Sequence, residues 1–143
     1  MTIRRNILAS VRFGNDLDLR QEQIDPLRHI TGLVGDHIVL VNDLFSFDKE
    51  KHAAMTQGAL ILNTVEYLEQ TLSVSFALAK DITLRLLFDV ESRLQNELCQ
   101  ISQMGTLSEA QMRHAHAMVE AASGNVLFSV TSVRYGKGAG GPR

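Results

Sequence analysis

One predicted helix, in the segment VNDLFSFDKE at residues 41–50, carries a line of polar side chains. Asn42, Ser46 and Glu50 are spaced four residues apart, and Lys49 precedes the glutamate. At about 100° per residue, Ser46 lies about 40° and Glu50 about 80° around the helix from Asn42. Lys49 lies about 20° to the other side. One helix face therefore presents an amide, a hydroxyl, a carboxylate and an ammonium group.

The first three of these groups offer oxygen atoms to a metal ion. Hard divalent cations bind oxygen ligands, and Mg²⁺ prefers near-octahedral coordination. Three ligands from one helix face can hold one Mg²⁺ ion, with Mn²⁺ as an alternative, and leave positions for water and for an anion such as phosphate. Lys49 would offer that anion a point charge.

A solvated surface face is the alternative interpretation, because these residue types are common on surfaces and their spacing does not separate the two. The flanking residues are apolar and favour a buried helix, in which polar groups need partners. They are Val39, Val41, Leu44, Phe45 and Phe47. Toward the N-terminus the same face continues with Gly35, Ile38 and Val39. This face fits a pocket with a charged mouth and an apolar floor, with these last three residues lining the cavity.

The composition limits the classes of protein to which this chain can belong. The chain has 143 residues, of which 45% are hydrophobic, enough for one domain with a single core. Its net charge of -2 gives no reason to expect a nucleic-acid partner. No apolar run approaches the ~20 residues that span a bilayer, so we expect no stable membrane insertion. The single cysteine, Cys99, excludes a disulfide framework and fits a reducing compartment such as the cytoplasm.

Apolar residues recur at helical spacing along the whole chain, which predicts an all-α fold, an antiparallel helical bundle. Predicted helices cover residues 2–13, about 26–51, about 56–69, about 73–102 and about 109–122. Asp25 before Pro26 predicts the N-cap of the second helix. Ser108 with Gln111 forms a capping-box pattern at the start of the last one. The segment after residue 122 fits either a helix or extended chain.

The string NDLFSFDKE resembles the second metal-binding motif of class I terpene cyclases. In that motif Asn or Asp is followed four residues later by Ser or Thr and eight residues later by Glu, with a basic residue before the Glu. The surrounding GDHIVLVNDLFSFDKEK is most similar to fungal and bacterial sesquiterpene cyclases. The resemblance implies that Asn42, Ser46 and Glu50 chelate one Mg²⁺ ion and that Lys49 contacts the substrate diphosphate.

A second motif, SVTSVRYG, is in register with the first. Family members end their helical domain with an Arg-Tyr pair whose side chains hydrogen-bond the diphosphate. The resemblance assigns this role to Arg134 and Tyr135. Arginine suits it because the planar guanidinium binds phosphate oxygens bidentately. The resemblance extends over about residues 14–135.

The chain also departs from the family pattern. The family's catalytic domain is longer, and its first metal motif, an Asp-rich cluster on an earlier helix, has no counterpart in this sequence. The arginine that senses the diphosphate cannot be assigned either. We therefore interpret residues 1–135 as the C-terminal half of a cyclase domain, a partial class I terpenoid synthase fold, and residues 136–143 as a flexible tail.

The resemblance implies an enzyme that ionises a prenyl diphosphate, farnesyl diphosphate by expectation, and cyclises the carbocation to a sesquiterpene. Because the Asp-rich motif is missing, we expect the isolated chain to be inactive. Half a domain leaves helix faces uncovered, so we also expect self-association into a homo-oligomer. The alternative is a catalytically dead helical fragment or interaction module, in which the polar line is a partner-binding face.

Overall fold

The described part of the chain consists of helices joined by short connections. The computed structural model describes residues 19–131. Its helices are α1 (Gln21–Ile24), α2 (Arg28–Gln57), α3 (Thr64–Leu72), α4 (Phe76–Met104) and α5 (Glu109–Thr131), with a 3₁₀ turn at Asp25–Leu27 between α1 and α2. No strand occurs within the described range, and the predicted all-α class is confirmed. The predicted helix at 2–13 and the predicted tail at 136–143 lie outside the described residues.

The start of α2 differs from the prediction. Asp25 is not an N-cap, because a helical turn already begins at Gln21 and continues through the 3₁₀ turn. Pro26 lies in the first turn of the 3₁₀ segment, where its missing N–H leaves no hydrogen bond unmade. Asp25 Oδ1 accepts a hydrogen bond from Gln21 Nε2 at 3.0 Å. Contacts between these side chains thus replace the predicted cap.

The end of α2 is set by a glycine. Gly58 adopts a left-handed φ of 65°, a region that glycine reaches without steric cost. Its N–H donates to the Ala54 carbonyl at 3.1 Å and closes the last turn. The predicted start of the next helix at about residue 56 is therefore wrong, because residues 58–63 are not helical and α3 begins only at Thr64; residues 64–69 are helical as predicted.

The last helix begins as predicted but continues further. The Ser108 N–H donates to Gln111 Oε1 at 2.8 Å, and the Gln111 N–H donates to Ser108 Oγ at 3.3 Å, which confirms the capping box. The predicted end near residue 122 is wrong, since α5 runs through Gly124 to Thr131. A glycine inside a helix costs about 1 kcal/mol relative to alanine. Packing overrides that cost here, as Ser129 beyond the glycine is fully buried.

The chain divides into two compact units, of which the first contains residues 19–37 and 90–124 among those described. Its core consists mainly of aliphatic side chains. The most deeply buried are Leu27, Ile30, Leu33, Val34, Ala115 and Met118. Burial of one such large aliphatic side chain contributes about 1.5–3 kcal/mol to folding. This unit therefore has a hydrophobic core of its own.

The second unit contains the described residues 38–89 and 125–131. Phe47 of α2, Val65 of α3 and Ala79 of α4 form its buried cluster. The Phe47 ring also lies 5.5 Å from the Phe76 ring, measured between centroids, in a tilted arrangement. These contacts fix the rotation of the C-terminal part of α2 about its own axis. They therefore decide which of its polar side chains meet α3.

One helical stretch, Gln21–Gln57, is long and apolar enough to cross a membrane when only length and composition are considered. Of its most apolar window, 56% is buried inside the protein. The core helix of a globular protein passes the same test, so this stretch is weak evidence for a membrane span.

Candidate metal-binding site

The three predicted metal ligands all lie on the part of α2 that belongs to the second unit. Asn42 is exposed, Glu50 is half-buried, and Ser46 is buried with 6% of its surface accessible. The line of side chains therefore runs from the surface into the protein and partly out again. Its middle position is the one most shielded from water.

The Ser46 hydroxyl is buried and has no hydrogen-bond partner among the described residues. Several other helical hydroxyls among the described residues donate to the carbonyl four residues earlier. Thr83 does so to Ala79 and Ser102 to Leu98, each at 2.8 Å. An unpaired buried hydroxyl costs about 1–3 kcal/mol. Its oxygen lone pairs are thus available to a ligand, and an ion bound there would remove this cost.

The Glu50 carboxylate is held on one side only. Its Oε2 accepts a hydrogen bond from Asn63 Nδ2 at 3.2 Å. Its Oε1 accepts no hydrogen bond from any residue in the range 19–131 that the structure describes. A carboxylate with one oxygen anchored and the other unengaged is suited to bind a cation through the second oxygen.

Asp43 lies beside the line but does not belong to it. It is buried, with 7% of its surface accessible, and its Oδ2 accepts hydrogen bonds from the Thr64 N–H at 2.8 Å and the Thr64 hydroxyl at 2.6 Å. Its backbone carbonyl accepts from Asn63 Nδ2 at 2.9 Å. Asp43 therefore attaches the start of α3 to α2 next to the candidate ligands.

The two lysines that flank Glu50 differ in their surroundings. Lys51 Nζ donates to both carboxylate oxygens of Glu66, at 3.0 and 3.2 Å, and lies 4.3 Å from the centroid of the Phe76 ring. Lys49 is exposed and makes no ion pair or hydrogen bond with a described side chain. The charge of Lys51 is therefore balanced inside the protein, whereas that of Lys49 is available to an external anion.

The predicted cavity-lining residues have mixed surroundings. Gly35 and Ile38 are buried, whereas Val39 is 39% exposed. Gly35 belongs to the first unit and the other two to the second. Their place in a substrate cavity stays a prediction.

A groove of about 420 Å³ occurs elsewhere in the second unit. It is lined by the end of α2, by residues 59–63 and by α3. The lining residues are Ala54, Ala59, Leu60, Ile61, Leu62, Asn63, Glu66, Tyr67 and Gln70. None of the predicted cavity residues belongs to it.

Two further predictions lie outside the described residues. Arg134 and Tyr135 follow the end of the described range, so their contact with a diphosphate stays a prediction. Within residues 19–131 no group of three or more His, Cys, Asp and Glu side chains is placed to hold a metal ion. The candidate site is of another kind, because it combines one carboxylate with an amide and a hydroxyl.

Asn63 is the site neighbour that sequence reasoning missed. It lies inside the helix predicted at about 56–69, where an amide on an apolar helix would be expected only to make a packing hydrogen bond. In the structure it is the N-cap of α3, with its Oδ1 accepting a hydrogen bond from the Val65 N–H at 2.9 Å. The string NTVE contains the signal, since Asn at the cap and Glu66 three residues later form the pattern of a helix start.

Comparison with known families places this geometry in context. Residues 5–93 match the family model described as terpene synthase family 2, C-terminal metal binding. The chain belongs to this family. The matched span includes the whole polar line of α2 and the start of α3. The family model thus covers both the candidate ligands and the side chains that contact them.

Individual relatives among fungal proteins support the same membership. Terpene cyclase 6 of Gibberella fujikuroi is 31% identical over 131 residues, which cover 92% of this chain and 35% of the relative. Terpene cyclase aneC of Aspergillus aculeatus is 29% identical over 134 residues, 94% of this chain and 30% of the relative. Sesterterpene synthase btcA of Neocamarosporium betae is 29% identical over 87 residues, 61% of this chain and 12% of the relative. The chain spans about a third of the length of the first two.

Proposed function

We propose that this chain supplies the second metal site of a class I terpene cyclase and its contacts to the diphosphate. The buried Ser46 hydroxyl without a protein partner carries the proposal. A polar atom that is costly to leave unpaired lies between two other oxygen donors on one helix face. The chain also belongs to a family whose C-terminal domain is described as metal binding, which supports a metal ion as the ligand of these oxygens.

The donor set fits a hard divalent cation. Asn42, Ser46 and Glu50 would hold one Mg²⁺ ion, or Mn²⁺ as an alternative, through an amide, a hydroxyl and a carboxylate oxygen. The bound ion would supply positive charge that stabilises the departing diphosphate. Lys49, whose charge no described residue balances, would bind the same anion. Arg134 and Tyr135 are proposed to complete the set of diphosphate contacts.

For the substrate we propose a prenyl diphosphate, and specifically farnesyl diphosphate with a sesquiterpene product. The motif around Asn42 supports this choice by its resemblance to sesquiterpene cyclases. The relative named as a sesterterpene synthase favours a longer prenyl chain as the competing substrate. Gly35, Ile38 and Val39 are proposed to line the apolar cavity. Such a cavity keeps water away from the carbocation.

The 143-residue chain by itself is proposed to bind cation and diphosphate weakly and not to cyclise substrate. Its sequence contains no Asp-rich cluster, so it offers ligands for one ion only. Incubation with farnesyl diphosphate and Mg²⁺, followed by gas chromatography with mass detection, is expected to give no cyclised hydrocarbon. A cyclised product would contradict this part of the proposal. We place this chemistry in the cytoplasm, without nucleic acid and without membrane insertion.

Metal binding provides the direct test of the site. Mn²⁺ is titrated into the purified chain, and free Mn²⁺ is followed by its electron paramagnetic resonance signal. We expect one ion per chain in the wild type and no measurable binding in Glu50→Gln. The matched control is Asp48→Asn, which removes an exposed carboxylate on the same helix as Glu50, whose partner is Lys80 of α4. Equal binding by Glu50→Gln and wild type would overturn the proposed site.

An interaction module without catalysis is the second candidate. It is favoured by the large apolar side chains that the second unit exposes. Leu60 is 84% exposed, Leu62 83% and Tyr67 65%. Patches of this kind mark surfaces that pack against another protein surface. Absence of any metal affinity together with a well-defined complex would favour this candidate over the first.

A further inference from the structure

The Asn63 carboxamide joins three parts of the second unit. Its Nδ2 donates to Glu50 Oε2 at 3.2 Å and to the Asp43 carbonyl at 2.9 Å. Its Oδ1 accepts from the Val65 N–H at 2.9 Å. The side chain thus connects two turns of α2 to the first turn of α3, and both of its amide hydrogens are used.

The orientation of this amide is fixed by its surroundings. Asn63 is buried, with 6% of its surface accessible. Only a carbonyl oxygen can accept from the Val65 N–H, so the nitrogen must face Glu50. The neighbouring Thr64 is held by Asp43 through two hydrogen bonds at 2.6 and 2.8 Å. Two adjacent residues at the start of α3 are therefore attached to α2, and rotation of the Asn63 side chain away from Glu50 would also break its bonds to the Asp43 carbonyl and the Val65 N–H.

We propose that Asn63 is a positioning residue for the metal ligand Glu50. Its N–H binds Oε2 and limits rotation of the carboxylate, so that Oε1 is presented to the ion. This inference rests on the proposed metal site. Partners that hydrogen-bond a ligating carboxylate typically affect metal affinity 10–100-fold when they are removed, because the ligand then has to be ordered as the ion binds.

A purely structural role is the competing explanation, since Asn63 also caps α3. The two roles separate in the variant Asn63→Ser. Serine is as good an N-cap as asparagine and keeps an oxygen for the Val65 N–H, but it has no amide nitrogen to reach Glu50. The matched control is Thr64→Val, which removes the hydroxyl bond to Asp43 and leaves the contact with Glu50 intact.

The experiment titrates Mn²⁺ alone into the full 143-residue chain and measures free Mn²⁺ by electron paramagnetic resonance. We expect Asn63→Ser to bind Mn²⁺ about tenfold more weakly, or worse, than the wild type. Thr64→Val is expected to keep wild-type affinity, although its thermal unfolding midpoint falls. Wild-type affinity in a folded Asn63→Ser, with loss of binding in Glu50→Gln, would overturn this inference and leave the proposed site intact. If the wild type itself binds no Mn²⁺, the proposed site fails first.

A measurement on the wild type tests the same inference independently, should Asn63→Ser fail to fold. Two-dimensional nuclear magnetic resonance of the ¹⁵N-labelled chain reports the side-chain NH₂ pair of each asparagine. On addition of diamagnetic Mg²⁺ we expect the signals of the Asn63 pair to shift. The reason is that Mg²⁺ bound to Glu50 would change the charge distribution on the carboxylate that accepts the Asn63 hydrogen bond. In Glu50→Gln the same addition should leave that pair in place. An Asn63 pair that does not move while other signals report Mg²⁺ binding would contradict the positioning role.

Discussion

Asp43 accepts both the backbone N–H and the hydroxyl of Thr64 through one carboxylate oxygen, at 2.8 and 2.6 Å. Asp43 is buried, and hydrogen bonds to charged groups contribute about 1.5–3 kcal/mol each. This pair holds α3 against α2 within the second unit. It lies next to the candidate ligands but supplies none of them.

Replacement of Asp43 by alanine is therefore expected to be strongly destabilising. Asp43→Ala leaves two donors of Thr64 unpaired, and we expect a loss of about 3 kcal/mol or more in the free energy of unfolding. Urea titration followed by circular dichroism measures it. The control is Asp81→Asn, which breaks only the exposed pair with Arg85, worth about 0–1 kcal/mol. Equal effects of the two substitutions would show that the Thr64 contact contributes little.

Replacement of Ser46 by alanine is expected to raise the stability of the protein and to lower its Mn²⁺ affinity. Ser46→Ala removes a buried hydroxyl that has no described partner, so the metal-free protein should become more stable by about 1 kcal/mol. Mn²⁺ affinity should fall in the same variant. Ser129→Ala is the matched control, because Ser129 Oγ is also buried without a partner in the described range but lies on α5 and is not one of the predicted ligands. It should gain stability and keep its Mn²⁺ affinity.

Loss of stability in Ser46→Ala with unchanged Mn²⁺ affinity would contradict the assignment of Ser46 as a ligand. It would indicate instead that the hydroxyl is part of the packing of α2. Measurement of both quantities on the same preparation separates these outcomes, since each interpretation predicts the opposite sign of the stability change.

Substitutions of Lys49 and Lys51 are expected to affect different properties, anion binding in the first case and stability in the second. Lys49→Ala should weaken pyrophosphate binding in the presence of Mn²⁺ and leave the unfolding midpoint unchanged. Lys51→Ala should lower the free energy of unfolding by about 1–2 kcal/mol, because it removes the pair with Glu66 and the contact with the Phe76 ring. Calorimetric titration of pyrophosphate and urea unfolding measure the two effects. The reverse pattern would assign the anion to Lys51.

The sequence predicts the all-α class and the polar line of α2 well, because both depend on local periodicity. Val41, Phe47 and the other apolar neighbours recur at helical spacing, and the candidate ligands repeat every four residues. Such patterns are read directly from one segment. The capping box of Ser108 and Gln111 is predictable for the same reason, since both partners lie within one helical turn.

The predictions that fail depend on contacts between distant segments or on competing local signals. Gly58 and Gly124 are both glycines in helical patterns, yet only Gly58 ends a helix. At Gly124 the helix continues because the following turn is packed in the protein, and that packing cannot be read from the local sequence. Asn63 meets Glu50 and Asp43 only because α3 folds back onto α2, so its role becomes visible only in the structure.

Self-association is expected from the apolar surface of the second unit. The connection between α2 and α3 exposes Leu60 and Leu62, and the neighbouring Tyr67 is 65% exposed. Sedimentation velocity of the purified chain is expected to show dimers or larger species at micromolar concentration. The double variant Leu60→Glu, Leu62→Glu should shift the distribution toward monomer, because charged side chains oppose burial of this surface.

The control is Leu127→Glu, which introduces one charged side chain on the exposed surface of α5. A monodisperse wild-type monomer would contradict the prediction, and dissociation caused by Leu127→Glu alone would move the interface to α5.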